Sequence, residues 1–219
     1  MKIASLHPWP QTIENAKSLQ VQLQGSVIKR NQFGEIRYVA GIDIGFENAG
    51  KITRAAIAIL SFPDLHLVEK QVVRDKTCFP YVPGYLSFRE IPPALKAFEK
   101  LSNTPDLLLC DGQGLAHPRR FGLACHLGLW TQIPSIGVAK SRLTGTNKDV
   151  GALKGNWQPL CDNGDEIGAV LRTRTNVAPL YVSIGHKIDL LTAIDFTLRC
   201  TTKYRLPETT RWAHKLASG

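Results

Sequence analysis

The chain has 219 residues, 43% of them hydrophobic and 21% charged, which is ordinary for one globular domain with a single core. It carries 27 lysines and arginines against 18 acidic residues, and the net charge of +9 fits a polyanionic substrate as well as it fits a surface that is basic only for solubility. The five cysteines have no C-x-x-C spacing, so we expect neither disulfides nor a zinc site. No apolar run approaches the roughly 18 residues of a membrane span, so we expect no membrane partner. No signal-peptide pattern is present, and we expect a cytoplasmic protein.

The spacing of apolar residues and turn residues predicts the elements in chain order. The predicted strands lie at 38–46, 54–62, 65–74, 107–111, 134–139, 167–174 and 180–185. The predicted helices lie at 11–30, around 88–98, and at 118–130, 189–202 and 207–217. Three antiparallel strands that lead into a β-α-β-α-β run predict an α/β fold, in which helices flank one mixed sheet. We expect a single domain over residues 1–219.

Three acids in apolar surroundings are candidates for a metal site, because a buried carboxylate needs a compensating cation or proton. Asp43 lies in the first strand, Asp111 ends the strand at 107–111, and Glu90 lies near the start of the intervening helix. Parallel neighbouring strands would bring the acids to one cleft, where they could hold two divalent cations about 4 Å apart for phosphodiester hydrolysis. Taken singly, Asp111 also fits a strand-ending turn and Glu90 a solvated first helical turn. Oxygen ligands favour Mg²⁺ or Mn²⁺ over zinc.

Five blocks of sequence resemble the endonuclease V family, the deoxyinosine-directed nucleases with a ribonuclease H-like fold. In family order, they are Val39–Asp43, Phe79–Gly84 running on to Phe88–Glu90, Asp111–Arg120, Pro134–Leu143 and Tyr204–His214. The resemblance implies that Asp43, Glu90 and Asp111 are the catalytic, metal-binding acids. It also implies that His214 supports the same centre, either as a direct ligand or from the outer shell. Lys140 would contact the scissile phosphate or the attacking water; without the family, a solvated lysine at a strand end is the simpler interpretation.

The same resemblance implies a set of residues that bind DNA and read the lesion. Two prolines stiffen the segment Pro80-Tyr81-Val82-Pro83, so that Tyr81 could enter the base stack as a wedge when the damaged nucleotide swings out. The alternative is a rigid connector between a strand and a helix. The expected DNA- and lesion-binding residues are Pro80, Tyr81, Val82, Pro83, Gly84, Leu86, Arg89, Gly112, Gly114, His117, Gly122, Leu123 and Leu143.

The residue types in this set suggest how a base would be read. Its glycines allow the backbone to approach hypoxanthine closely, and a close backbone wall would exclude the exocyclic amine of guanine. Its leucines are either walls of the pocket or plain core residues. His117 precedes a predicted helix N-terminus, where it either lies beside a DNA phosphate or only caps the turn.

The activity that the resemblance implies is a Mg²⁺-dependent endonuclease, with Mn²⁺ as a substitute, that acts on DNA containing deoxyinosine. The cut would fall at the second phosphodiester 3′ to the lesion and leave 3′-hydroxyl and 5′-phosphate ends. Two alternatives remain open: a ribonuclease for inosine-containing RNA, and a binding module without catalysis. Neither G-x-G-x-x-G nor a Walker A sequence is present, so we expect no nucleotide cofactor. We expect a monomer.

Overall fold

A computed structural model describes residues 2–219 of the chain. Its strands are β1 Tyr38–Glu47, β2 Ile52–Ser61, β3 Leu67–Lys76, β4 Leu107–Cys110, β5 Ser135–Ala139, β6 Trp157–Asp162, β7 Asp165–Leu171 and β8 Leu180–His186. Its helices are α1 Ile13–Gln24, α2 Leu86–Glu99, α3 Leu123–Thr131, α4 Leu190–Arg199 and α5 Glu208–Ser218. All eight strands form one sheet in the order β3-β2-β1-β4-β5-β8-β7-β6. Across residues 2–219, no helix combines the length and the apolar character needed to span a membrane.

The sheet is mixed, and this confirms the predicted fold class. β1, β2 and β3 are antiparallel neighbours, because their connections are short turns. β4 pairs with β1 in parallel and β5 pairs with β4 in parallel, since α2 and α3 provide the crossovers. β8, β7 and β6 then extend the sheet with antiparallel pairs. The arrangement is the ribonuclease H-like sheet with flanking helices.

Alternate residues of β1 face different helix layers. Ala40 and Ile42 belong to a buried cluster with residues of α2 and α3, whereas Val39 belongs to a cluster with residues of α4. Gly41 lies directly under α5, because a Cβ atom placed there would be 1.9 Å from the carbonyl oxygen of Thr209. The missing side chain therefore allows α5 to approach the centre of the sheet closely.

Two predicted helix boundaries were wrong. The first helix ends at Gln24 and not at 30, with Gly25 as its C-cap. The helix predicted to begin at 118 begins at Leu123, with Gly122 as its N-cap. Arg120 has a left-handed backbone with φ of 54°, which an α-helix cannot include. His117 therefore does not stand at the N-terminus of this helix.

The prediction also missed strand β6. This strand lies at one edge of the sheet and contains Pro159, and proline is tolerated in edge strands because its missing N–H need not pair. Only Leu160 in this strand is buried, so the alternation of apolar residues is weak. The turn from β6 to β7 has left-handed backbone at Asn163 and Gly164, with φ values of 52° and 87°. An Asn-Gly turn is a strong hairpin signal, and it is what marks this strand in the sequence.

Candidate active site

The parallel pairing of β1 and β4 brings two aspartates side by side. The register pairs Ile42 with Cys110, and the amide of Asp111 donates a hydrogen bond to the carbonyl of Ile42 at 3.0 Å. The residue after each member of this pair is an aspartate, Asp43 on one strand and Asp111 on the other. Adjacent strands in this register therefore place two carboxylates side by side at the carboxyl end of β4, in the middle of the sheet.

A histidine from α5 completes a compact cluster. His214 Nδ1 lies 2.7 Å from Asp43 Oδ2, and potential ligand atoms of Asp43, Asp111 and His214 all lie within 4.8 Å of one another. The two aspartate side chains are only 12% and 11% exposed, while His214 is 52% exposed. Lys140, just after β5, forms an ion pair with Asp111 Oδ2. The two aspartates on the sheet are thus shielded from solvent, whereas the histidine on α5 is open to it.

Glu90 lies beside this cluster and is not one of its three members. It is located in α2 and lines an adjoining cavity together with Asp111 and Lys140. Burial, followed by the negative charges of Asp43 and Asp111, raises the pKa of Glu90 to about 8, although Arg89 opposes the shift. The structure therefore brings all three predicted acids into one electrostatic environment, with Glu90 slightly apart.

The charges of these residues fit a bound cation. Burial and the charge of Asp111 also raise the pKa of Asp43, although hydrogen bonds from His214 and the amide of Ile44 oppose the shift. Burial and mutual repulsion thus raise the pKa values of both carboxyl groups more than the positive side chains nearby lower them. Two carboxylates together with one imidazole form a donor set for a divalent cation. A ribonuclease H-like sheet with acids meeting at β1 and β4 defines a nuclease of the metal-assisted class.

Comparison with known proteins specifies the family. The endonuclease V family model matches residues 21–215. Endonuclease V of Rippkaea orientalis is 59% identical over 218 residues, which cover 100% of this chain and 95% of that protein. The crystal structure of endonuclease V from Streptomyces avermitilis is 44% identical and has a TM-score of 0.91, over 96% of this chain and 93% of that one. The chain belongs to the endonuclease V family and is a nuclease.

Similar structures of one relative contain nucleic acid. Endonuclease V of Ciona intestinalis was crystallised in complex with a 23mer DNA containing an inosine followed by a ribo-adenosine. It is 28% identical to this chain and has a TM-score of 0.83, with 94% of this chain and 95% of that one covered. The fold described above is therefore shared with a protein that holds inosine-containing DNA.

A cavity of about 400 Å³ opens next to the acids. Most of the predicted site residues line it, namely Tyr81, Pro83, Gly84, Leu86, Glu90, Asp111, Gly112, His117, Gly122, Leu123, Lys140 and Leu143. Pro80 and Arg89 line a second cavity, and Val82 and Gly114 line neither of the two. Gly114 instead packs against β8, where its amide donates to Ser183 Oγ at 2.8 Å.

The loop between Phe79 and Gly84 presents an exposed tyrosine from a fixed base. The side chain of Tyr81 is 67% exposed. Arg89 Nη1 donates to the carbonyl of Phe79 at 2.9 Å, and Nη2 donates to the carbonyl of Gly50 at 3.1 Å. The guanidinium group of Arg89 thus ties the start of the loop to the turn between β1 and β2.

His117 is held inside the protein in a neutral form. Its side chain is 3% exposed, and burial lowers its pKa to about 4. Nε2 donates to the carbonyl of Gly84 at 3.0 Å, while Nδ1 accepts from the amide of Arg119 at 3.1 Å. Both ring nitrogens of His117 therefore have protein partners, and one of these partners is the end of the loop. The predicted contact of His117 with a DNA phosphate stays a prediction.

Some cavity residues were not identified from the sequence. Gln113, Ser141 and Arg142 lie within the blocks that resemble the family, so the resemblance could have identified them. Gln20 lies far from any such block, but it occupies a buried position of α1 together with Ala16 and Leu23. A glutamine on the apolar face of an amphipathic helix is the one signal that could have identified it.

Proposed function

We propose that this protein is a Mg²⁺-dependent endonuclease that recognises deoxyinosine in DNA and hydrolyses the second phosphodiester bond 3′ to the lesion. The observation that carries the proposal is the cavity between the loop at 79–84 and the acids, because one space adjoins both the wedge residue and the candidate metal ligands. Membership of the endonuclease V family supports it. So does the inosine-containing DNA held by the Ciona intestinalis relative.

We assign the metal to the acids on the two central strands β1 and β4. Asp43 and Asp111 would hold Mg²⁺, with Mn²⁺ as a substitute, Glu90 would complete the set, and His214 would orient Asp43 through their 2.7 Å contact. A metal held there would supply Lewis-acid stabilisation for the departing oxygen and a lower pKa for the attacking water. Lys140 would be released from Asp111 to contact the scissile phosphate. The products would carry 3′-hydroxyl and 5′-phosphate ends.

We assign base recognition to the backbone that lines the cavity. Gly84, Gly112 and Gly122 present main-chain atoms, and Leu86 and Leu123 form apolar walls. A Cβ atom at Gly112 would lie 3.2 Å from Leu123 Cδ2, so the wall is already close-packed there. A wall of this kind would accept hypoxanthine and resist the additional amine of guanine.

The proposal is tested with a labelled duplex that carries one inosine and a matched duplex that carries adenine. In Mg²⁺, we expect nicking of the inosine strand only, between the first and second nucleotides 3′ to the lesion, with no release of free base and no product in EDTA. Asp43→Ala should abolish nicking and retain lesion binding, whereas Asp64→Ala, an exposed acid in a turn, should behave as the parent. Nicking by Asp43→Ala at the parental rate in Mg²⁺ would exclude the assigned metal site.

A ribonuclease that acts on inosine-containing RNA is the second candidate. It is favoured by one observation, since the oligonucleotide bound by the Ciona intestinalis relative has a ribonucleotide directly after the inosine. The same acids would serve either substrate, and contacts to the 2′-hydroxyl would distinguish them. Cleavage rates on matched inosine-bearing DNA and RNA strands, measured in one reaction, decide between the two.

We further propose that the protein is a single domain over residues 1–219 and acts as a monomer in the cytoplasm. One sheet that includes strands from both halves of the chain supports the single domain. Sedimentation of the purified protein with and without duplex tests the oligomeric state, and cell fractionation tests the location.

A further inference from the structure

The carbonyl oxygen of Gly84 accepts three side-chain hydrogen bonds. Gln20 Nε2 donates to it at 2.9 Å, His117 Nε2 at 3.0 Å and Arg119 Nη2 at 2.7 Å. Gly84 ends the loop that carries Tyr81, and its backbone is left-handed with φ of 82°. Three donors from two separate parts of the chain therefore fix the point where the loop turns into α2.

Gln20 and Arg119 also bind each other. Arg119 Nε donates to Gln20 Oε1 at 2.5 Å, and the guanidinium carbon of Arg119 lies 4.2 Å from the centre of the Tyr85 ring. Gln20 is 1% exposed although it is polar. The side-chain amide of Gln20 accepts from the arginine and donates to the carbonyl at the same time, and this explains a glutamine at a buried position of α1.

We propose that Gln20 and Arg119 are positioning residues that hold the Tyr81 loop in the orientation needed to discriminate a lesion. This inference rests on the proposed function for its consequence, but the anchoring itself is a property of the free protein. Arg89 fixes the carbonyl of Phe79 at the start of the loop, and the Gln20–Arg119 pair fixes Gly84 at its end. The exposed Tyr81 therefore lies in a loop whose two ends are both held by hydrogen bonds from arginine or glutamine side chains.

A wedge residue separates stacked bases only if its loop keeps its conformation when it contacts them. The prolines restrict rotation within the loop, but they donate no hydrogen bonds and cannot fix how the loop stands on the protein. Anchoring by buried donors prepares the loop before DNA binds, so that less ordering is needed at the encounter. Loss of the anchor should therefore weaken lesion recognition and leave the metal centre intact.

The first test needs no DNA. We would measure amide hydrogen exchange of residues 81–88 in the free protein for the parent, Gln20→Met and Gln22→Met. Methionine keeps the volume of glutamine and removes both polar contacts, and Gln22 is an exposed residue of the same helix. Faster exchange in Gln20→Met alone is the expected result. Unchanged exchange in Gln20→Met would overturn the anchoring. Arg119→Lys, which keeps the charge and loses the fork of donors, provides a second variant should Gln20→Met fold poorly.

The second test measures the consequence for recognition. For Gln20→Met, we expect the KM for the inosine duplex to rise about tenfold or more, with kcat and Mn²⁺ affinity close to parental values. A general loss of stability would instead lower kcat and the urea midpoint. In a Tyr81→Ala background the Gln20→Met change should have no further effect, because the anchor acts through the wedge. An equal loss in both backgrounds would refute the positioning role.

The two tests separate the inference from the function on which it rests. If the parent does not nick inosine-bearing DNA, the proposed function is wrong, and the exchange measurement still decides whether Gln20 and Arg119 anchor the loop. If the parent nicks and Gln20→Met keeps the parental KM, the proposed function stands and the positioning role is wrong.

Discussion

The close approach of α5 to β1 makes Gly41→Ala the most informative substitution in the fold. A Cβ atom at Gly41 would lie 1.9 Å from the carbonyl oxygen of Thr209, whereas Cβ atoms in proteins essentially never lie closer than 3.0 Å to such an atom. The helix and the strand must therefore separate by at least about 1.1 Å. Added to the 2.7 Å between His214 Nδ1 and Asp43 Oδ2, this displacement would break their hydrogen bond. A single methyl group should thus disturb both the packing and the candidate metal site.

The expected loss of stability is about 3 kcal/mol, at the upper end for overpacking, because the clashing atoms belong to the backbone. In urea this corresponds to a midpoint lower by about 1 M. The matched control is Gly34→Ala, where a Cβ atom would meet no atom within 4 Å. Its midpoint should change little. Mn²⁺ titration should show weaker binding for Gly41→Ala alone. Equal midpoints and equal Mn²⁺ affinities for the two variants would refute the packing explanation.

Three further predictions concern pH and the loop. In metal-free protein the pKa of Glu90 is raised to about 8, so the folded protein holds a proton that the unfolded chain releases above pH 4.5. Between pH 6.5 and 8.5 the free energy of unfolding of the parent should therefore fall as the pH rises. In Glu90→Gln it should stay level over the same range. In Glu90→Gln the same quantity should fall as pH drops from 6.5 to 4, because burial lowers the pKa values of His117 and His186 to about 4; a constant urea midpoint across that range would contradict this. Tyr81→Ala should reduce the preference for inosine over intact DNA in nicking assays while Mn²⁺ affinity persists, and an unchanged preference would remove the wedge from the mechanism.

The two aspartates illustrate what could be predicted from local pattern. Asp43 lies within one apolar strand and Asp111 directly follows another. The helix that connects the two strands favours a parallel pairing between them. Parallel neighbours in register bring the residues after Ile42 and Cys110 together, as the structure shows. The sheet order around β1 and the antiparallel C-terminal hairpin followed from the same kind of reasoning.

The contacts of His117 and Gln20 illustrate what could not be predicted. The chain between 117 and 123 contains a left-handed residue at Arg120, so a helical pattern that begins at 118 is misleading. Gln20 and Arg119 are 99 positions apart, and no periodicity links a residue of α1 with a residue after β4. The location of Glu90 beside the cluster, and not inside it, likewise depends on how α2 lies against the sheet.

The sequence alone determined the mixed sheet, the two acids that meet at its centre and the family to which the chain belongs, because strand and helix patterns and short blocks of residues are local properties. The tertiary structure decided how closely α5 approaches β1, which side chains hold Gly84, and the neutral state of His117. These depend on distances between atoms remote in the chain, and such distances are set only when the helices pack against the sheet.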